Sequence, residues 1–171
     1  MKKTIMASIL AFVLLNGFGP LLTQAGAETM NIKLVSMAEK LEMVKVTGVE
    51  GVLIGVVDRK GLGLLENGDI VTMACRAIFD TKKGFQTYSS VTFEDGSTVV
   101  MWSTGAISRS PATAKFREYG GKFEYVNGTG RFKGIKGNGT LTAKMPQWDK
   151  DFRPTGLTYY YFSGTYTLPS K

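Results

Sequence analysis

Phe93-Glu94-Asp95-Gly96-Ser97-Thr98 is the clearest structural signal in the chain. Asp-Gly stands there between two runs of alternating apolar and polar residues. It favours a two-residue turn in which both central residues adopt positive φ. Such a turn would set Phe93 opposite Thr98 and Ser89 opposite Trp102, so that Phe93 and Trp102 share one face of a hairpin. The opposite face is also partly apolar, which favours a closed barrel whose outer wall is covered by another segment or subunit.

Eight short runs rich in Val, Ile, Thr, Phe and Tyr alternate with glycine-bearing turns along the chain. No helical pattern of about 10–15 residues separates them, which argues against βαβ units. We therefore predict an all-β fold, a single eight-stranded antiparallel β-barrel. The runs are Leu41–Thr47, Val52–Asp58, Ile70–Phe79, Phe85–Glu94, Ser97–Ile107, Lys115–Val126, Gly137–Lys144 and Leu157–Leu168.

The start of the chain has the pattern of a secretory signal peptide. Lys2 and Lys3 precede the apolar run Ile5–Leu15, and Ala25-Gly26-Ala27 has the small-x-small form that signal peptidase accepts. The apolar run is too short to span a membrane, which takes about 20 residues. The pattern therefore predicts an exported protein.

Three segments follow from these patterns. We expect residues 1–27 to be the signal peptide, residues 28–40 an N-terminal arm or short helix, and residues 41–171 the barrel domain. No second apolar stretch is long enough to span a bilayer, so we expect no transmembrane segment in the mature chain. The expected location is periplasmic or secreted.

The composition excludes several classes of chemistry. The chain of 171 residues contains no histidine and one cysteine, Cys75, which lies in an apolar run and is predicted to be buried. Without histidine there is no Ser-His-Asp or Cys-His hydrolase and no His-built metal site. We expect no metal and no cofactor. The formal net charge is +7, and because the aromatic-basic signature of an RNA-binding sheet is missing, no nucleic-acid partner is expected.

A glycine-rich stretch, Phe123 to Thr140 (FEYVNGTGRFKGIKGNGT), resembles the allene oxide cyclase-like barrel proteins. Thr92–Thr98 and Tyr161–Tyr166 resemble the same family, and the resemblance covers residues 40–168. In that family the fold is an eight-stranded antiparallel barrel, an architecture also found in lipocalins. The plant enzymes cyclise an unsaturated fatty-acid epoxide without a cofactor and associate as trimers. The resemblance therefore implies the barrel and a homo-oligomer, and it assigns no catalytic position.

A barrel of this size can hold one small apolar molecule in its mouth or lumen. Aromatic side chains offer a large contact area at a low cost in entropy, and tyrosine adds a polar group. At each position the alternative is that the ring fills a packed core. We predict binding of a small hydrophobic molecule, with these contacts: Tyr88, Phe93, Trp102, Tyr125, Tyr159 and Tyr161.

Two other functions stay open. A cofactor-independent isomerase or cyclase would need a buried carboxylate with a raised pKa, and the candidates within predicted strands are Glu94, Glu118 and Glu124. A module that binds an anionic surface or a protein would use the short basic clusters Lys82-Lys83 and Arg131–Lys136. Whether the protein is an enzyme is left undecided by the sequence.

Overall fold

The computed structural model describes residues 26–107, 115–147 and 156–170. The strands within these ranges form a closed antiparallel barrel in which each strand pairs with the next along the chain, and β1 also pairs with β8. The predicted eight-stranded barrel is confirmed. The strands are β1 (Glu28–Lys45), β2 (Leu53–Leu65), β3 (Ile70–Asp80), β4 (Gly84–Phe93), β5 (Thr98–Ile107), β6 (Phe116–Gly128), β7 (Lys136–Pro146) and β8 (Thr158–Thr167).

Helical structure is nearly absent from the described part of the chain. A 3₁₀ turn, Gly130–Phe132, lies between β6 and β7. No helix in the described ranges has the length and apolar character needed to cross a membrane. Nearly all of the predicted signal peptide, residues 1–27, lies outside the described residues.

The first strand is the main departure from the predicted segments. Residues 28–40, expected to be an arm or short helix, belong to β1 and pair with both β2 and β8. The barrel therefore begins at Glu28 rather than at residue 41. Met30, Ile32 and Leu34 point inward with a period of two, and this strand signal was masked by apolar residues on the outer face. A β-bulge between Ala38 and Lys40 interrupts the alternation.

The turn between β4 and β5 has three residues rather than two. The Phe93 N–H donates to the Ser97 carbonyl and the Gly96 N–H to the Phe93 carbonyl, each at 2.9 Å. Gly96 adopts φ +78°, the left-handed conformation that closes a three-residue hairpin loop. The Asp95 carboxylate accepts hydrogen bonds from the Ser97 N–H and hydroxyl, each at 3.0 Å, which holds the turn.

This extra turn residue shifts the predicted register by one position. Tyr88, not Ser89, lies opposite Trp102. Because side chains alternate along a strand, the slip moves β5 residues to the other face. Val99 and Met101 point inward and are fully buried. The expectation that Trp102 shares the face of Phe93 was therefore wrong.

One end of the barrel is filled by aromatic side chains. This end, which we call the base, contains the β4–β5 turn, the 3₁₀ turn and the last residues of β8. The base cluster is defined by Phe93, Phe132, Tyr125 and Tyr166, all buried. Ring centroids lie 4.6 Å apart for Phe93 and Phe132, 6.0 Å for Phe132 and Tyr166, and 6.1 Å for Tyr125 and Tyr166. The aromatic rings of the base therefore pack against one another, and an open groove of about 460 Å³ lies beside them, lined in part by Glu28, Asp69 and Arg131.

Candidate functional site

A cavity of about 60 Å³ lies inside the half of the barrel away from the base. We call that end the upper end; it carries the β1–β2 and β3–β4 connections. Inward-facing residues of β1–β4 and β6–β8 line the cavity, as the alternation of side chains in a barrel requires. Most of its wall is apolar: Leu41, Val57, Met73, Ala77, Phe79, Phe85, Leu141, Ala143, Met145 and Phe162.

At the base, aromatic side chains and Arg131 pack between the solvent and this cavity. Arg131 covers the base cluster, with its guanidinium carbon 4.8 Å from the Phe93 ring centroid and 5.0 Å from that of Phe132. The same guanidinium lies 3.5 Å from carboxylate oxygens of Asp69 and Asp95. A stacked arginine held by two carboxylates adds to the closure of this end. We therefore expect a ligand to enter from the upper end.

Arg59 is a buried charged residue in the cavity wall, with a side chain only 2% exposed. Its Nε donates to the Ser36 hydroxyl at 3.0 Å, and its Nη2 donates to the Ser36 carbonyl at 3.5 Å. Nη2 also donates to the Thr158 hydroxyl. Since Ser36 is on β1 and Thr158 on β8, the side chain reaches from β2 across two neighbouring strands.

The remaining nitrogen of Arg59, Nη1, is buried and has no hydrogen-bond partner among the described residues. Arg59 forms no ion pair with any described carboxylate, in contrast to the exposed Arg76, whose guanidinium holds Asp58 through two hydrogen bonds of 2.7 Å. An arginine cannot lose its proton at any ordinary pH. The cavity therefore contains a permanent positive charge whose hydrogen bonds all go to uncharged groups.

The other titratable groups of the wall are neutral at physiological pH. Burial raises the pKa of the Cys75 thiol to about 11 and the pKa values of Tyr119 and Tyr160 to about 12 each. A thiol in this state is a poor nucleophile. Both tyrosines keep their phenolic protons, and the Tyr119 hydroxyl donates to the Met145 sulfur at 3.4 Å. Among the described lining residues, Arg59 alone carries a full charge.

The six aromatic residues predicted as ligand contacts do not line this cavity. Phe93 and Tyr125 belong to the base cluster. Tyr88 is 60% exposed on the outer wall. Trp102 pairs with it there, between the inward-facing Met101 and Ser103. The structure therefore does not bring the six rings together around one cavity, and the register slip of β5 accounts for the outward position of Trp102.

In β8 the structure places the opposite set of aromatic side chains inside the barrel from the set that was predicted. Tyr159 and Tyr161 are exposed on the outer wall, whereas Tyr160 and Phe162 point into the cavity. Tyr159 and Tyr161 lie together along a shallow apolar groove with Val35, Leu62 and Ile70. The expectation of an outer surface that is also apolar is met in this region.

The carboxylates considered for acid–base catalysis are on the outer wall. Glu94, Glu118 and Glu124 are exposed, and Glu118 lies 3.3 Å from Lys144 Nζ. No described carboxylate lines the cavity. Nor do three described acidic or cysteine side chains converge on a point where they would hold a metal. The part of the site that the structure describes thus lacks the buried carboxylate that a cyclase mechanism of this kind would need.

The basic clusters are also partly engaged within the molecule. Lys82 Nζ donates to the Glu50 carbonyl at 3.1 Å. The backbone N–H groups of Lys82 and Lys83 both donate to Asp80. Together with the two carboxylates that approach Arg131, these contacts reduce the positive charge available to an anionic surface.

Sequence reasoning missed Arg59, Tyr160 and the rest of the polar wall. Arg59 lies in a run of three charged residues, Asp58-Arg59-Lys60, and such runs are usually exposed to solvent. The period-two spacing of Gly55, Val57 and Arg59 in β2 is the signal that places it inside.

Comparisons with known proteins add the following. No protein-family model matches the chain, and no curated protein matches it. A solved structure, that of the pterocarpan synthase dirigent protein GePTS1, is similar to it with a TM-score of 0.46 and 14% identity. The match covers 89% of this chain and 96% of that one. At that level the likeness does not extend to function, and the resemblance to allene oxide cyclase-like proteins stays a prediction.

Proposed function

We propose that the protein binds a small hydrophobic molecule inside the barrel. The observation that supports this is the cavity of about 60 Å³, whose wall is mostly apolar, in the half of the barrel away from the packed base. Ligand sites are typically concave and apolar with a few polar groups that orient the ligand. Arg59, Thr158 and Tyr160 supply such groups here.

Ala143 offers a test of this proposal. It is 5% exposed and lines the cavity on β7. Ala143→Leu would fill the cavity, whereas Thr142→Leu places the same leucine side chain next to it on the exposed outer face. Circular dichroism would show that both variants are folded. We expect 1-hexanol to shift the NMR signals of cavity residues in the wild type and in Thr142→Leu, and much less in Ala143→Leu.

Native mass spectrometry of the protein from its own host provides the second measurement. It reports any retained small molecule and the number of subunits, and so also tests the predicted homo-oligomer. The proposal would be refuted if no apolar compound is retained and neither 1-hexanol nor hexanoate perturbs the cavity at millimolar concentration. Equal binding by wild type and Ala143→Leu would place the ligand elsewhere.

We further propose that the chain is an exported member of the allene oxide cyclase-like barrel group, periplasmic or secreted. The proposal rests on the signal-peptide pattern up to Ala27 and on the glycine-rich stretch Phe123 to Thr140. Intact mass measurement of the protein from culture medium and from periplasm tests the first part. A mature chain that begins at Glu28 is expected; a protein that retains Met1 inside the cell would contradict it.

A further inference from the structure

The buried guanidinium of Arg59 identifies the kind of ligand that the cavity suits. We infer that the ligand is a compact organic anion, a carboxylate with a short apolar body, whose acidic group pairs with Arg59. This inference rests on the proposed function, since it concerns the ligand of the same cavity. It depends on three observations: the burial of Arg59, its hydrogen bonds to uncharged groups only, and the partnerless Nη1.

Arg59 has more donors than the protein uses. A guanidinium carries five N–H donors, and the bonds to Ser36 and Thr158 engage Nε and Nη2. The donors of Nη1 are buried without an acceptor. Leaving a buried charged donor without a partner is costly, and a charged acceptor recovers more than a neutral one. A carboxylate oxygen placed against the guanidinium would supply that acceptor.

The surroundings favour a single negative charge. Arg59 is the one full charge among the described lining residues, so a monoanion gives a neutral pair, whereas a dianion would leave a buried excess charge. Tyr160, whose raised pKa keeps it protonated, is a further donor in the same wall. The enclosed volume of about 60 Å³ holds only the acidic end of such a ligand, so we expect the rest of its short apolar body to extend toward the upper end.

A purely structural role for Arg59 is the competing explanation. Through its hydrogen bonds to Ser36 on β1 and Thr158 on β8, the side chain links β2 to the two strands whose pairing closes the barrel. That role gives no reason for the protein to prefer an anion over an uncharged molecule of the same shape. The two explanations therefore differ in a binding preference that can be measured on the unaltered protein.

The experiment compares hexanoate, 1-hexanol and hexylammonium as ligands of the wild-type protein, by NMR titration. We expect hexanoate to bind about 10- to 100-fold more tightly than 1-hexanol, the range of a charge-assisted hydrogen bond. Hexylammonium should bind more weakly than either. These comparisons need no variant, so they stand even if Arg59 variants fold poorly.

Substitutions then assign the preference to a residue. Arg59→Met should abolish the preference for hexanoate over 1-hexanol, and Arg59→Lys, which keeps the charge, should retain part of it. Lys60→Met is the matched control, because it removes the same charge from the exposed outer face one residue away. It should leave the preference intact.

The outcomes separate this inference from the proposed function. If 1-hexanol binds as tightly as hexanoate, the cavity is a ligand site but the anion inference is wrong. If neither binds, both proposals fail. A preference for hexanoate that survives in Arg59→Met, or disappears in Lys60→Met, would place the anion away from Arg59 and overturn the inference.

Discussion

Removing the Phe162 ring tests which face of β8 forms the interior. Phe162 is 2% exposed, and its ring centroid lies 5.7 Å from that of Phe123 and 6.0 Å from that of Tyr160. Truncating a buried phenylalanine to alanine costs about 3–5 kcal/mol. Because one side of this ring already faces a cavity, fewer contacts are lost, and we expect the lower end, about 3 kcal/mol.

The assay is thermal unfolding followed by circular dichroism, with Tyr161→Ala as the matched control. Each kcal/mol lowers the melting temperature by about 2–4 °C in a domain of this size, so Phe162→Ala should lower it by about 6–12 °C. Tyr161 is 38% exposed on the outer wall, and its loss should cost about 1 kcal/mol, the span of strand propensities. Equal losses in the two variants, or a larger loss in Tyr161→Ala, would refute the assignment of the faces.

Three further predictions concern other parts of the barrel. Hydrogen bonds within its turn, chiefly from a backbone N–H, lower the pKa of Asp95 from 3.8. The stabilisation is therefore present above that value and lost as the pH falls through the lowered pKa, so the stability difference between wild type and Asp95→Asn should close in acid melts. Gly121→Ala should destabilise the barrel by about 1–3 kcal/mol in urea melts, because its Cβ would lie 2.3 Å from the Thr104 carbonyl oxygen. Gly120→Ala, with nothing near, should be neutral or slightly stabilising. Cys75, with its pKa raised to about 11, should react with iodoacetamide at about pH 8 only in denaturant.

The number and order of the strands could be predicted from the sequence. Each of the eight predicted runs overlaps one of the eight strands, because β-branched and aromatic residues between glycine-bearing turns suit the pleated geometry of strands. The exception was residues 28–40. There the alternation of Met30 to Leu34 does not continue, because Val35 and Met37 are apolar residues on the outer face, and the segment shows a weak helical period instead.

The candidate site was harder to predict from the sequence, because it depends on which side chains of a strand point into the barrel rather than on where the strand lies in the chain. Asp95-Gly96 occurs in both two- and three-residue loops, and here the hydrogen bond from the Phe93 N–H to the Ser97 carbonyl shows that the loop has three residues. The same one-residue difference decides whether Trp102 or Met101 is inside. In β8, consecutive rings at Tyr159 to Phe162 gave no contrast from which the inner face could be read.

Arg59 illustrates a different limit. A charged residue beside two others predicts an exposed face on average, and nothing local reveals that its hydrogen-bond partners come from Ser36 and Thr158, 23 and 99 positions away in the chain. Such contacts arise from barrel closure. Sites of this kind are found from the structure.

The pairing of β1 with β8 has a consequence for how the chain reaches its native state. Glu28 lies opposite Tyr166, and the Tyr166 hydroxyl donates to the Glu28 carboxylate at 2.6 Å, so the ends of the barrel domain meet. Strands that are neighbours in the sequence can pair soon after synthesis. The seam between β1 and β8 can form only when the whole domain is present, and its formation carries a loop-closure entropy cost that the local pairs avoid. Until then both outer strands present bare edges. We expect closure of the seam to be the slow step of folding and the unclosed sheet to be the species most prone to self-association.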